Sequence, residues 1–273
     1  MPFAHRDGTE LYWRADGSPE LPALVLGNSL GTDQSLWDCV MPQLMQSFYV
    51  VRMDMRGHGA SVLSAHDSTV DWSIAMFAGD VLAVADAAGI GRFYFAGISI
   101  GGMIGLWLGA HACDRVLALL VSNTAARLPA DVWAASIEAV REGGMQALVD
   151  DTLARWFTPG YVTRGDPVLA TIRQNFLRVD PAGYAGVGAV LRDIDLRALL
   201  SRVAVPTRVV TGREDRSTPP ALGQAIATAV VDAVYVELPA AHIPPPELPR
   251  QFAAEIRLLL KHGPDGLPSG LSV

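Results

Sequence analysis

From Phe93 to Cys113 the chain reads FYFAGISIGGMIGLWLGAHAC, with no Asp, Glu, Lys or Arg. Only two environments accept a stretch like this: a bilayer, for which about 18 uncharged apolar residues is the usual threshold, or the interior of a protein. The neighbouring sequence favours the interior. Short apolar runs typical of buried strands, ALVL at Ala23, YVVRM at Tyr49 and VLALLVS at Val116, flank the stretch and alternate with helical spacing such as Met76 to Ala88. A lone membrane span amid such alternation would leave its flanking strands unpaired. Phe93 to Gly97 therefore reads as a central strand, Ser99 as a turn, and Gly101 to Ala110 as a buried helix. Its glycines at 101, 102, 105 and 109 suit close packing on a sheet.

Alternating strands and helices predict a mostly parallel sheet covered by helices on both faces. Thr9 to Arg14, after the Asp7-Gly8 turn, is expected to form a hairpin with Phe3 to His5. From Asn123 to Leu200 no strand is expected. Helical periodicity instead runs through VWAASIEAVREGG, MQALVDDTLARWF and LATIRQNFLRV. That length is far beyond a connecting loop, so residues 123–200 read as a helical cap inserted into a core made of 1–122 and 201–261. The sheet resumes with TRVVTG and VYVEL, and PRQFAAEIRLLLK closes it. Residues 262–273 read as a disordered tail.

The acidic balance, 28 Asp and Glu against 21 Lys and Arg, argues against nucleic acid or an acidic membrane surface as partner. The N-terminal segment MPFAHRDGTELYWRADG is charged throughout and lacks the apolar core of a signal peptide, so a cytoplasmic protein is expected. Cys39 and Cys113 are read as buried free thiols. No histidine, cysteine or carboxylate cluster has metal-ligand spacing, and neither a metal nor another cofactor is expected.

Gly97-Ile98-Ser99-Ile100-Gly101 matches G-x-S-x-G where a strand turns into a helix, the context in which that pattern exposes a nucleophilic serine. A serine needs a base, and the base an acid that fixes its tautomer. Of the histidines after Ser99, His111 sits along the following helix and His262 in the tail. His242 follows the last strand and is the base by elimination. The acid is expected after a strand: Asn123 is uncharged, and GREDRS after TRVVTG offers Glu214 and Asp215. Asp215 is preferred, because the shorter carboxylate of a Gly-x-x-Asp turn points to the sheet's carboxyl edge. The oxyanion donors are expected to be the N–H groups of Ile100, after the nucleophile, and Leu30 in GNSLGTD, with Asn28 and Ser29 shaping that turn. RGHG at Arg56 lacks dinucleotide-loop spacing and reads as a turn bracing the active-site rim.

With these residues placed, the chain resembles the α/β-hydrolase superfamily and, more closely, the 3-oxoadipate enol-lactonases. RGHGAS and the serine elbow are shared widely in the superfamily. NSLGTDQSLWD, SNTAARLPADVW, LARWFTPGY and IRQNFLRVDPAGYAG carry the closer likeness. The resemblance implies an eight-stranded α/β-hydrolase sheet with a cap, and a cofactor-free opening of an enol-lactone to 3-oxoadipate in aromatic-compound breakdown. It also implies a positive partner for the lactone's carboxylate, for which Arg127, with Trp133 as a pocket wall, is the expected choice; Arg155 and Trp156 are further candidates. Two departures stand out: GISIGG where relatives tend towards GLSMGG, and HIPPPE where they carry a small polar pair as in HISN. Three prolines remove backbone donors and are expected to alter the pocket rim. The same machinery would also serve a carboxylesterase, another lactonase, a C–C hydrolase or a perhydrolase. A ligand-binding receptor retaining the triad is the reading from a different class.

Overall fold

The computed structural model describes residues 2–68 and 70–262. Eight strands form one sheet: β1 (Phe3–Arg6), β2 (Thr9–Asp16), β3 (Ala23–Gly27), β4 (Tyr49–Met53), β5 (Phe93–Ile98), β6 (Val116–Ser122), β7 (Thr207–Gly212) and β8 (Val234–Leu238). Their order is β1-β2-β4-β3-β5-β6-β7-β8. β1 and β2 pair antiparallel, as does β2 with β4. From β4 to β8 every neighbouring pair is parallel. All six residues of β5 are buried, as expected of a central parallel strand covered on both faces.

The helices are α1 (Met41–Leu44), α2 (Ile74–Ala87), α3 (Ile100–His111), α4 (Ala130–Gly143), α5 (Val149–Trp156), α6 (Pro159–Arg164), α7 (Pro167–Leu177), α8 (Pro181–Asp193), α9 (Pro220–Ala229), α10 (Pro244–Glu247) and α11 (Pro249–Arg257). The uncharged stretch thus divides between β5 and α3. Among the described residues no helix is long and apolar enough to cross a membrane. The buried face of α3 lies against the sheet through its glycines: a Cβ at Gly105 would meet the Phe95 ring at 3.0 Å, and one at Gly109 the Leu119 side chain at 2.7 Å.

Between β6 and β7 the chain leaves the sheet for α4 to α8. Three of these helices begin with the same local chemistry. Thr158, Asp166 and Asp180 each accept a backbone N–H from the first turn, with proline at the next position. Such a cap contributes about 1 kcal/mol, and proline at the first helical position loses no hydrogen bond. α8 went unrecognised in the sequence because Gly183, Gly186 and Gly188 weigh against a helix. A Cβ at Gly183 would stand 2.8 Å from Gly57 Cα, and one at Gly186 2.7 Å from the Trp72 ring. Gly183 lets α8 lie against the RGHG turn, and Gly186 makes room for Trp72.

Two expectations need correction. Cys113 is exposed and Cys39 half-buried, though both are free thiols. His262 closes a 3-10 turn, Leu258–His262, instead of opening a tail; residues 263–273 lie outside the described residues.

Candidate active site

Leu30, Ser99, Asn123, Asp215 and His242 all follow carboxyl ends of parallel strands (β3, β5, β6, β7 and β8), the edge where open α/β sheets place their ligands. Ser99 has φ 58° and ψ −120°, a left-handed conformation costing about 1–3 kcal/mol for a non-glycine residue. Its surroundings hold it there. Ser99 N–H donates to the Ser122 carbonyl at 2.9 Å, and the Thr124 hydroxyl donates to the Ser99 carbonyl at 2.7 Å. A Cβ at Gly97 would lie 2.2 Å from the Gly101 carbonyl oxygen, and one at Gly101 2.3 Å from that of Gly27. The glycines at ±2 are therefore steric requirements of the elbow.

His242 Nδ1 lies 2.9 Å from Asp215 Oδ2. Asp215 also accepts at Oδ1 from the N–H groups of Ser217 and Thr218, at 2.8 and 2.9 Å. Its Oδ2 accepts from the Thr218 hydroxyl at 2.7 Å and from Asn123 Nδ2 at 2.9 Å. Burial pushes this carboxyl up, but the charge and hydrogen bond of His242 and the Thr218 bonds outweigh it, leaving it below the usual carboxylate range. An ionised Asp215 only accepts, so Nδ1 carries the imidazole proton and Nε2 is the free base. His242 and Ser99 line the same cavity. Glu214, the alternative acid, is exposed, and His111 is exposed and stacked on Trp107 with centroids 4.4 Å apart.

Leu30 lines that cavity beside Ser99, and Ile100 opens α3 directly after it. The Leu30 loop is fixed by side chains from its surroundings. Asn28 Nδ2 donates to the Met53 carbonyl at 2.7 Å, and its Oδ1 accepts from Trp37 Nε1 at 2.8 Å. Gly31 N–H donates to His58 Nε2 at 3.1 Å, while His58 Nδ1 faces the Arg56 carbonyl at 3.0 Å. His58 is therefore neutral, with its proton on Nδ1. RGHG braces the Leu30 loop through this imidazole. Arg56 itself points away, fully buried between Asp67 and Asp80.

Burial lowers the His58 pKa from 6.5 to about 4. The unfolded chain takes up this proton first, so the contribution to stability is complete above pH 6.5 and is lost as pH falls through 4. The loss by pH 4 should be about 3 kcal/mol. His58→Gln keeps an acceptor for Gly31 and cannot ionise, so its urea-unfolding stability should fall less between pH 7 and pH 4. Parallel declines in the two proteins would show that His58 is not the titrating group.

The proline run does not stand at the pocket rim as expected. Pro244, Pro245 and Pro246 are buried in the single turn of α10 and are not among the cavity's lining residues. Glu247, in the same turn, accepts from Ala241 N–H at 2.9 Å and from the Thr158 hydroxyl at 2.6 Å. It ties the histidine loop to the start of α6. Trp156 adds a second tie: its carbonyl accepts from Ile243 N–H at 3.1 Å, and its indole stacks on His242 with centroids 6.5 Å apart.

The cavity measures about 1060 Å³, and both Arg127 and Trp133 line it. Arg127 is more than half exposed and lies 3.9 Å from Asp195. Among the described residues no group of three or more His, Cys, Asp or Glu is placed to hold a metal ion. Sequence reasoning missed the supporting roles of Asn123, His58 and Glu247, each visible only once distant segments meet, and that of Thr218, which closes a local turn three residues after Asp215.

A strained serine between a parallel strand and a helix, over a sheet of this order, defines a class. The alpha/beta hydrolase fold family profile matches residues 22–159, and the chain belongs to that family. It is 32% identical to 3-oxoadipate enol-lactonase 2 of Acinetobacter baylyi, over 90% of this chain and 91% of that one. It superposes on the crystal structure of the enol-lactonase from Burkholderia xenovorans LB400 with a TM-score of 0.91 and 39% identity, covering 95% and 100% of the two chains. A pimeloyl-[acyl-carrier protein] methyl ester esterase of Nitrosomonas europaea is 30% identical, over 85% of this chain and 93% of that one. The protein is a hydrolase of the α/β fold acting on ester bonds.

Proposed function

We propose that the protein is a cytoplasmic serine hydrolase opening a small carboxylate-bearing enol-lactone, 3-oxoadipate enol-lactone to 3-oxoadipate, in aromatic-compound catabolism. The observation carrying the serine mechanism is the shared cavity of Ser99 and a histidine whose Nδ1 is held 2.9 Å from Asp215. The likeness to enol-lactonases at 32% and 39% identity supports the substrate.

In this reading Ser99 Oγ forms a bond to the lactone carbonyl carbon while His242 Nε2 takes the hydroxyl proton. Asp215 stabilises the resulting imidazolium, and the N–H groups of Leu30 and Ile100 hold the oxyanion. Collapse breaks the ring C–O bond, and the enolate leaves with the proton that His242 Nε2 took from Ser99 and ketonises, which returns His242 to the neutral base. Water, deprotonated by His242, then attacks the acyl carbon and frees Ser99. Residues 123–200 act as a lid that shapes the cavity and excludes solvent. A second reading, an esterase for longer acyl groups, is favoured by the roughly 1060 Å³ cavity, which is generous for a small lactone.

Hydrolysis of 3-oxoadipate enol-lactone and p-nitrophenyl acetate, measured side by side, tests this. The lactone kcat/KM should exceed that of the ester by about a hundredfold or more, as expected where specific transition-state contacts are made. Ester cleavage without lactone opening would sink the lactone assignment in favour of the esterase. Turnover of neither would sink the serine mechanism.

A further inference from the structure

We infer, building on the hydrolase reading above, that the cavity selects anionic acyl groups and that Arg155 with the Tyr184 hydroxyl holds the substrate's carboxylate. The preferred class is then esters and lactones whose acyl chain ends in a free carboxylate.

The chain carries more acid than base, 28 residues against 21, yet its cavity reverses that balance. Arg127, Arg155, Arg197 and Arg216 line it, and no Asp or Glu does. A carboxylate entering a largely apolar cavity needs a charged partner or several donors, and the four arginines differ in their freedom to serve. Arg197 is engaged with Asp195 at 2.6 Å, and Arg127 faces the same carboxylate at 3.9 Å. Arg216 donates to the Ala154 carbonyl. Arg155 has only a long 3.4 Å contact to the Thr152 hydroxyl. Among the described residues it has no carboxylate partner.

Tyr184 provides an independent observation. It lines the cavity, is only 4% exposed, and its hydroxyl has no hydrogen-bond partner among the described residues. A hydroxyl that lines the cavity with no acceptor from the protein is free to donate to a ligand oxygen there. Burial pushes the phenol up to about 12, opposed by the nearby positive charge of Arg155, so the hydroxyl keeps its proton and donates at neutral pH. The two residues border one aromatic shelf. Trp156, next to Arg155, meets Phe176 edge-on at 5.7 Å, and Phe176 meets Tyr184 at 6.0 Å. The same Trp156 stacks on His242, so the shelf connects the base to the carboxylate subsite.

Two esters matched in chain length test this: mono-p-nitrophenyl glutarate, with a free carboxylate, and neutral p-nitrophenyl pentanoate. The wild-type protein should favour the glutarate in kcat/KM by about 10- to 100-fold, the range of charge-assisted hydrogen bonds. Arg155→Met should erase most of that ratio, chiefly through KM. Tyr184→Phe should reduce it about tenfold, and Arg155→Lys should restore part of it. Calorimetric titration with glutarate gives a readout independent of turnover, and Arg155→Met should weaken binding about tenfold or more. Equal use of both esters by the wild-type protein, equal losses on both in the Arg155 variant, or a ratio that responds to Arg216→Met and not to Arg155→Met would each overturn the assignment. Neither ester resembles the enol-lactone ring, so a failed lactone assay leaves this test intact. If neither ester turns over, the serine mechanism fails, and the glutarate titration alone decides the subsite.

Discussion

Ser99→Ala is expected to lower kcat on lactone and ester alike by about six orders of magnitude, the loss seen when one member of a cooperating triad is removed. Alanine deletes only the hydroxyl. The left-handed backbone at Ser99 is imposed by its neighbours, through the Ser122 and Thr124 hydrogen bonds and the glycine contacts at 97 and 101, and alanine meets the same backbone penalty as serine. The thermal midpoint should therefore stay within about 2 °C, because no buried bond of the Ser99 hydroxyl is lost. A fluorophosphonate should add its mass to the wild-type protein and not to the variant. A variant retaining more than about a hundredth of wild-type kcat would exclude Ser99 as nucleophile, since a displaced proton relay alone does not replace a missing nucleophile.

The arrangement of these residues is legible in the sequence to the extent that it is local. The strands announced themselves as short apolar runs because parallel strands are buried on both faces. The elbow did so because a sharp strand-to-helix turn demands small residues at fixed offsets. Asp215 and His242 followed from their places at strand ends, although their meeting joins positions 27 residues apart. Contacts across the sheet edge were beyond reach. Asn123, set aside as an acid because it is uncharged, donates to Asp215 across 92 positions. That contact needs the β6–β7 pairing, which the helical insertion hides in sequence.

Similar reasons concealed other features. RGHG reads as a brace, but which part of the loop it holds depends on β3 and β4 lying side by side, which puts His58 under Gly31. The triproline run suggested a changed rim because prolines lack donors. It is instead buried behind the histidine, where Glu247 supplies the acceptor for Ala241. Helix α8 is obscured because its glycines answer to neighbours, Gly183 to the Gly57 backbone and Gly186 to the Trp72 ring, and not to helix propensity. In each case the partner that completes a residue's role is brought in by topology and is not readable from the local segment.

Asp215→Asn is expected to lower kcat by about four orders of magnitude with little change in fold, as for the equivalent change in a serine protease triad. The amide is nearly the same size, but its hydrogen bonding is not. Ser217 and Thr218 N–H groups require an oxygen at the Oδ1 position, so the new NH2 group must take the place of Oδ2, facing His242 Nδ1. Two donors cannot face each other, so the imidazole proton moves to Nε2, and the nitrogen turned towards the cavity stops being a base. Asn123 and the Thr218 hydroxyl lose their acceptor at Oδ2 as well. Nitrogen chemical shifts of the His242 ring should report a proton on Nδ1 in the wild-type protein and on Nε2 in the variant. The depressed Asp215 pKa also carries a stability term. It is present above the normal carboxylate pKa and lost as pH falls through the lower folded value, so the variant should lack this acid-side decline. Glu214→Gln, one position earlier and exposed, should change kcat less than twofold, as surface substitutions usually do. A large loss in Glu214→Gln with near-normal activity in Asp215→Asn would transfer the role of acid to the glutamate and force a different placement of the imidazole.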